Sequence, residues 1–399
     1  SFGGEYRKET YTSRPDQVLG YDIYGINQSP LISGGQDNFD VFGALNYPII
    51  EGQKGLGQVS ATGSFRYSRL GVIGTTPIQD PYYSTTDENY DNDALAYQMK
   101  VDWEPSADYG FFISYDKSYR QPSLSELFTQ QTVTFPGVQD PCARGVGDNT
   151  PARGIREICL ANGVLAIIYG TSYQPGVNPV ALVGGNTSLS PEHAQTISFG
   201  FSAEPQNIPG LELAVKYFAV EIEDGVGRIP AQALLNGCFI AANLSLCERI
   251  HRRGNGVFFD NIDTTHDNVL SKTLRGVDLQ FRQDLAFLTS ESGFFSGDFS
   301  LNAAGTLTLE NTTSHFSHSS GFGLGTIMSV DIDCAGYHQG AGGYCGTPIS
   351  KWKHTASLAY ADTSSFGVWG ITARWRFLSN TQADPLSAQA AGSFTPRFA

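Results

Sequence analysis

The sequence predicts an all-β protein that forms a transmembrane antiparallel β-barrel with long extracellular loops. The first observation is an alternation of apolar and polar residues, strict from Leu95 to Trp103 and continued from Tyr109 to Asp116. Such a period of two indicates β-strands with two unlike faces. The second is that short connections alternate with very long ones. The third is that Trp and Tyr collect near strand ends while the polar faces are rich in Gly, Ser and Thr, as in membrane barrels.

About eleven strands follow from the alternation, and most of them pair as hairpins. They are predicted at residues 2–9, 41–50, 58–69, 95–103, 109–116, 194–203, 211–223, 273–288, 294–309, 352–361 and 368–379. The short connections are predicted at 51–57, 104–108, 204–210, 289–293 and 362–367, and the long ones at 70–92, 119–192, 224–272 and 310–351. No change of composition marks a boundary, so residues 1–399 are predicted to form one domain.

The predicted strands are longer than the usual ~5–6 residues and suit the ~9–11 tilted residues that cross a bilayer. Alternation alone leaves the environment open, because a soluble sandwich buries its apolar face and a membrane barrel exposes it to lipid. Strand length, the aromatic strand ends and the unequal connections favour the barrel. Two alternatives are a passive porin-type channel and a surface β-rich adhesin whose loops bind glycans.

The chain carries a net charge of −14 and lacks a basic stripe, which argues against nucleic acid as a partner. Its acidic residues include a dense group at 87–93, which we expect to form an exposed loop. No run of ~20 apolar residues predicts a transmembrane helix.

The cysteines fall into three neighbouring pairs within predicted long connections: Cys142 with Cys159, Cys238 with Cys247, and Cys334 with Cys345. Six cysteines allow about 15 pairings, but the clustering favours three local disulfides over free thiols. Disulfides imply an oxidising compartment.

The sequence offers no catalytic signature, since H-E-x-x-H, G-x-S-x-G and G-x-x-x-x-G-K-[ST] motifs are absent. We therefore predict that the protein is not an enzyme and holds no cofactor. The candidate metal sites are His315 with His318 and Asp331 with Asp333. Both are better interpreted as solvated loop side chains, and no metal site is predicted.

Several stretches resemble TonB-dependent outer-membrane receptors. Residues 118–128 match the pattern R-x-P-S-x-x-E-L-F and residues 185–192 match G-N-x-x-L-x-P-E. Residues 211–229, 274–279 and 349–354 resemble later barrel segments of that family. The matches occur in the family's order and cover roughly residues 110–380.

The resemblance implies a 22-strand barrel filled by an N-terminal plug, in the outer membrane of a bacterium, in contact with its lipid and lipopolysaccharide. The implied function is TonB-energised uptake of a scarce nutrient, such as a ferric siderophore, cobalamin or an oligosaccharide, which the outer loops and the plug bind. TonB would be the partner through the plug region. We expect this chain to be a fragment of about half the strands, without the plug or the last strands.

Arginine side chains and loop aromatics are the candidate ligand contacts, because guanidinium groups bind carboxylates or phosphates in a bidentate manner and aromatic rings stack on flat ligands. The candidates are Arg120, Tyr169, Tyr173, Arg252, Arg253, Phe258 and Phe259. At Arg120 a structural role, anchoring the end of its strand, is our preferred interpretation. The aromatic residues could instead pack their own loops.

Overall fold

A computed structural model describes residues 1–13, 32–53, 55–75, 87–129, 131–138, 140–143, 155–171, 179–240, 242–254, 259–285, 297–316, 329–338, 345, 347–364 and 367–383. The strands are β1 (Phe2–Ser13), β2 (Ile32–Gln53), β3 (Gly57–Thr75), β4 (Asp87–Ser106), β5 (Tyr109–Arg120), β6 (Thr132–Thr134), β7 (Ala181–Val183), β8 (Glu192–Ala203), β9 (Leu211–Gly227), β10 (Ile250–Arg252), β11 (Phe259–Asp263), β12 (Asp267–Asp284), β13 (Asp298–Phe316), β14 (Ser329–Asp333), β15 (Tyr337–His338), β16 (Trp352–Ser364), β17 (Gly367–Leu378) and β18 (Gln382–Ala383). The helices are α1 (Leu124–Phe128), α2 (Arg156–Ala161), α3 (Ala231–Phe239) and α4 (Leu244–Cys247).

One large antiparallel sheet dominates the molecule and confirms the predicted all-β fold. Its strands follow the order β1-β2-β3-β4-β5-β8-β9-β12-β13-β16-β17, and β14 adds to β13. Every neighbouring pair along this path is antiparallel. Within the described residues the sheet is open, with β1 and β17 at its edges. No helix in the described part of the chain is long and apolar enough to span a membrane.

The strands extend beyond the alternating segments. The longest, β2, has 22 residues, and β4 has 20, which at ~3.3 Å per residue is about 65–75 Å against a hydrocarbon thickness of ~30 Å. The expected acidic loop at 87–93 is therefore wrong: these residues form the start of β4 and pair with β3. Their acidic side chains have partners on β3, since Asp91 pairs with Arg69 at 2.6 Å and Asp93 accepts from the Tyr67 hydroxyl at 3.0 Å, whereas the side chain of Tyr90 is buried in an apolar cluster with Leu127 and Phe128.

The outward face of the sheet is apolar, as a lipid-facing surface requires. Leu45 and Met99 are 70% and 65% exposed. Aromatic rings meet near the short-turn end of β4, β5 and β8, where Trp103 stacks on Phe111 at 5.2 Å and Phe111 contacts Phe201 at 5.1 Å between ring centroids. These contacts form part of the aromatic girdle that membrane barrels place at the interface.

The inward face is polar and linked by hydrogen bonds between strands. Ser114 on β5 and Ser198 on β8 share a hydrogen bond of 2.8 Å, and Ser114 also donates to Asp116 at 3.0 Å. The inward charged groups Lys100 and Asp102 form an ion pair of 2.6 Å. Wide barrels keep their interiors polar in this way.

Candidate functional site

The outer rim of the sheet is organised by Arg120, the last residue of β5. Its Nε donates to Oε2 of Glu192 at 2.5 Å and its Nη2 to Oε1 at 2.7 Å. The two Nη groups donate to the carboxylate of Glu126 at 2.9 and 3.0 Å. One guanidinium thus holds both motifs of the sequence, residues 118–128 and 185–192, in a double bidentate arrangement.

Glu126 belongs to α1, which starts with a capping box. The backbone N–H of Ser123 donates to the Glu126 carboxylate at 2.7 Å, and the Ser123 hydroxyl accepts from the backbone N–H of Glu126. A capping box satisfies backbone donors that would otherwise lack partners at a helix start. Because α1 has only 5 residues, its position depends on these contacts and on Arg120 rather than on helix propensity.

The two carboxylates have lowered pKa values. Partial burial acts to raise the pKa of Glu126, but hydrogen bonds from Arg120 and from Ser123 outweigh it, and the pKa falls to about 2. At Glu192 burial is likewise outweighed, by Arg120 and by the backbone N–H of Val226, so its pKa is lowered. Both groups therefore remain ionised at neutral pH and hold Arg120 in place.

The helix α1 folds inward over the end of the sheet. Leu127 and Phe128 are 2% and 3% exposed and pack against Leu70, Val72 and other apolar residues of β3 and β4. The ring of Phe128 lies directly over Gly74, where an added Cβ would come within 2.3 Å of the ring. Glycine at this position is what allows the ring to approach the strand. Residues 121–128 thereby cover part of the inward face at the outer end of the sheet.

A cleft of about 450 Å³ lies on the inward face beside this segment. At its floor the fully buried Asp40 receives Arg66 Nη2 at 2.7 Å and Nε at 3.1 Å, and the Ser68 hydroxyl donates to the same carboxylate. Gln121 also lines the cleft, and both polar atoms of its amide are buried without a partner among the described residues. The cleft therefore has a polar wall that includes an amide group without a hydrogen-bond partner among the described residues.

Two long connections fold together into a single unit, which we call the cap: residues 131–184 and 228–266, in the parts described. Its sheet has the order β10-β11-β7-β6, in which β7 from the first connection pairs in parallel with β11 from the second. One apolar core runs through both connections and includes Ile155, Leu234 and Ile262. The cap is therefore one small folded unit rather than two separate loops.

A buried ion pair joins the two connections inside the cap. Arg252 donates to Asp140 through Nη1 at 2.7 Å and Nη2 at 2.8 Å, and these side chains are 1% and 3% exposed. The guanidinium lies 4.2 Å from the ring centroid of Phe259 and 5.3 Å from that of Phe239. Such cation–π contacts stabilise a desolvated guanidinium.

The six cysteines form the three expected local disulfides. Cys142–Cys159 and Cys238–Cys247 lie in the core of the cap, and Cys334–Cys345 closes a smaller cluster beside β14.

The predicted ligand contacts occupy different environments. Arg120 is engaged by its two carboxylates, Arg252 and Phe259 lie in the cap interior, and Tyr169 packs partly buried against the cap core, where burial raises its pKa. Arg253 is on the surface, 3.5 Å from Asp260, with both side chains about 60% exposed. Tyr173 and Phe258 lie outside the described residues. Arg252 and Phe259 thus face no solvent through which a ligand could reach them.

The sequence interpretation missed Asp140 and Glu192 as the partners of the two arginines. Glu192 was visible as the last residue of the second motif, but nothing local connected it with Arg120. The carboxylates of Asp331 and Asp333 accept hydrogen bonds from the protein: Ser314 Oγ donates to Asp331 at 2.5 Å, and the backbone N–H groups of Asn311 and Ala335 donate to Asp333. Among the described residues no group of three or more His, Cys, Asp or Glu could hold a metal ion.

Nearly the whole chain matches a known protein family. The sequence profile of the family described as "TonB dependent receptor-like, beta-barrel" matches residues 1–398. Among curated proteins, none matches this chain. Solved structures with a similar fold include the copper transporter OprC (12% identity, TM-score 0.49, 95% of this chain and 40% of that chain), the ferric-catecholate import receptor Fiu from K12 E. coli (11%, 0.45, 96% and 41%) and the siderophore receptor PiuA from Acinetobacter baumannii (12%, 0.44, 89% and 40%). The chain thus spans about two fifths of the length of these proteins.

Proposed function

Because the chain belongs to the TonB-dependent receptor β-barrel family, we propose that it is the barrel portion of a receptor that takes up a scarce nutrient with energy delivered through TonB. The family resides in the outer membrane of Gram-negative bacteria. The nutrient is a ferric siderophore, cobalamin or an oligosaccharide, bound from outside by the long-loop side together with a plug. The protein acts as a receptor and transporter and not as an enzyme.

The cap is the observation that carries the proposal. Loops of this length are costly to order, yet here two of them share one core, two disulfides and a buried ion pair. A pre-ordered surface loses less entropy when a ligand binds. A passive channel has no need of such a surface, so the cap favours capture of a specific ligand over a porin-type function.

Arg253 remains our candidate for ligand contact because its side chain is exposed. Its guanidinium forms a solvent-exposed ion pair of 3.5 Å with Asp260, and exposed pairs of this kind contribute little free energy. An anionic ligand could therefore displace it at small cost. Tyr173 and Phe258, which lie outside the described residues, stay predicted ligand contacts.

The test is growth rescue by the full-length receptor in a host that lacks its own receptors. Ferric siderophores, cobalamin and oligosaccharides are supplied singly as the limiting nutrient, in parallel strains with and without TonB. We expect rescue by one nutrient class, only in the strain with TonB. Rescue in both strains would instead establish a passive channel, and adhesion to glycans without rescue by any nutrient would establish the adhesin.

A further inference from the structure

The inward face of the sheet has a recess for α1, formed by two glycines that are paired across β2 and β3. These are Gly34 and Gly74, which we call the socket. An added Cβ at Gly34 would lie 3.4 Å from the side chain of Leu124, and one at Gly74 would lie 2.3 Å from the ring of Phe128. The absence of side chains at both positions therefore lets the apolar residues of α1 approach the two strands.

α1 also contacts the chain that leaves the cap. The backbone N–H of Gly185 donates to the carbonyl of Thr129, which follows α1, at 2.8 Å, and that of Asn186 donates to the carbonyl of Glu126 at 2.9 Å. The two segments approach closely, since an added Cβ at Gly185 would come within 2.5 Å of the Leu127 carbonyl oxygen. Backbone contacts, which no side-chain rotation can relieve, thus fasten α1 to the end of the first connection.

The four passages of the chain between the sheet and the cap meet beside α1. The first connection begins directly after α1 and ends at Gly184. The second ends at His266, whose backbone N–H donates to the Gly184 carbonyl at 3.2 Å and whose carbonyl accepts from Nδ2 of Asn186 at 2.9 Å. Where the second connection begins, the N–H of Val226 donates to the Glu192 carboxylate at 2.7 Å. A displacement of the cap therefore acts directly on α1.

The docked position of α1 leaves the amide of Gln121 unsatisfied. Gln121 lies between β5 and α1 and lines the cleft on the inward face, yet its buried amide nitrogen and oxygen lack hydrogen-bond partners among the described residues. A buried polar group without a partner is unfavourable, because it has lost its hydration. Withdrawal of α1 from the socket would return this amide to water. The desolvation cost at Gln121 therefore opposes the apolar contacts that hold α1 in the socket.

We propose that α1 couples the cap to the inward face: when the cap is displaced, α1 leaves the socket and the cleft that Gln121 lines opens. In the docked state Leu124 and Phe128 lie against the socket, and in the released state they lose these contacts while the Gln121 amide is hydrated. A change at one end must bias the other end equally, because coupling between two sites is reciprocal. The coupling requires neither a particular nutrient nor TonB, so its failure would leave the proposed function untouched.

The first test changes the socket and measures hydrogen exchange in the cap of the full-length receptor in detergent. Gly74→Ala places a methyl group against the Phe128 ring, whereas Gly71→Ala, on the same strand, meets no atom within 4 Å and is the matched control. We expect exchange in α1 and in residues 259–266 of the cap to become about fivefold faster in Gly74→Ala only, the lower end of usual coupling between sites. Phe128→Ala, which empties the socket without a collision, should give the same pattern and serves where Gly74→Ala does not fold.

The second test changes the cap and measures access to the inward face. Gln121→Cys supplies a thiol at the cleft, and the six native cysteines of the chain are paired in disulfides. Adding Arg252→Met, which disturbs the ion pair inside the cap, should speed maleimide labelling of this thiol by about fivefold, and adding Arg253→Met, at the exposed neighbouring position, should not. Faster exchange in α1 without faster exchange in the cap, or equal labelling with Arg252→Met and Arg253→Met, would overturn the coupling.

Discussion

Arg120 and Glu192 stand 72 residues apart in the chain, yet two hydrogen bonds of 2.5 and 2.7 Å join the guanidinium of one to the carboxylate of the other. The pair closes the outer ends of β5 and β8, which are neighbours in the sheet. Glu126 binds the same guanidinium, so the pair also fixes α1 at the mouth of the inward face. Residues 118–128, which carry the first family motif, therefore have a structural role: through Arg120 they connect β5, β8 and α1. We call this set of contacts the joint.

Replacing Arg120 by Ala should release this joint. Two carboxylates would lose their shared cation, and hydrogen bonds to charged groups contribute about 1.5–3 kcal/mol. We expect a loss of that size in the free energy of unfolding, measured by urea titration of the receptor in detergent, together with faster hydrogen exchange in α1. Arg120→Lys is the control, because an ammonium keeps the charge but cannot serve both carboxylates bidentately. Equal stability of the Ala variant and the parent would contradict the proposed role.

The same joint should weaken in acid. The folded-state pKa of Glu126 is about 2 against an ordinary value of 4.5, so its contribution to stability is complete above about pH 4.5 and is lost as the pH falls toward 2. Glu192 shifts in the same direction. Proteolysis within residues 121–128, followed with an acid-stable protease from pH 6 to pH 2, should rise in this window. Glu126→Gln should remove much of that dependence, and a transition centred above pH 5 would argue against it.

The buried ion pair of the cap should be sensitive to the loss of one partner. Arg252→Met leaves Asp140 charged and buried, which costs about 3–5 kcal/mol, and we expect the cap to become sensitive to protease on intact cells. Arg253→Met, at the adjacent exposed position, should change stability by no more than about 0.5 kcal/mol. The double variant Asp140→Leu with Arg252→Met should recover part of the loss. If the cap of the Arg252→Met variant resisted protease as well as that of the parent, the ion pair would not be what stabilises the cap.

The disulfides Cys142–Cys159 and Cys334–Cys345 should differ in their effect on the stability of the cap. Removing Cys142–Cys159, with its separation of 17 residues, should destabilise the cap by about 3 kcal/mol through the freedom regained by the unfolded segment. The expected result of Cys142→Ser with Cys159→Ser is faster cleavage of the cap by external protease at 37 °C, with unchanged heat resistance of the barrel. Cys334→Ser with Cys345→Ser is the control, since that bond lies outside the cap core. Identical cleavage rates in the two variants would contradict this assignment.

The strands were predictable where one face meets lipid and were misjudged in the segments beyond, where acidic residues interrupt the apolar pattern. Leu95 to Trp103 alternate because their outward side chains face the bilayer. Asp91 and Asp93, earlier in the same strand, interrupt the apolar pattern, and the strand conformation of this segment comes from pairing with Arg69 and its neighbours on β3. That pairing is a tertiary property that no local pattern reports.

The roles of the candidate site residues were predictable only in part, because their partners are distant in the sequence. A structural role for Arg120 could be inferred from its motif, although its second partner could not. Arg252 lies in a polar stretch with His251 and Arg253 beside it, which is typical of a surface. Its side chain can be buried because Asp140, 112 residues earlier in the chain, supplies the opposite charge. No local pattern in the sequence indicates that these two residues are in contact.

The parallel pairing of β7 with β11 has a consequence for how such receptors can change. Each of the two connections supplies only part of the cap's sheet and core, so neither is a complete fold by itself. Transplanting one connection onto another barrel would carry over an unstable half. Variation in ligand specificity would then have to proceed by exchanging both connections together, or by altering the exposed side chains and leaving the shared interior intact.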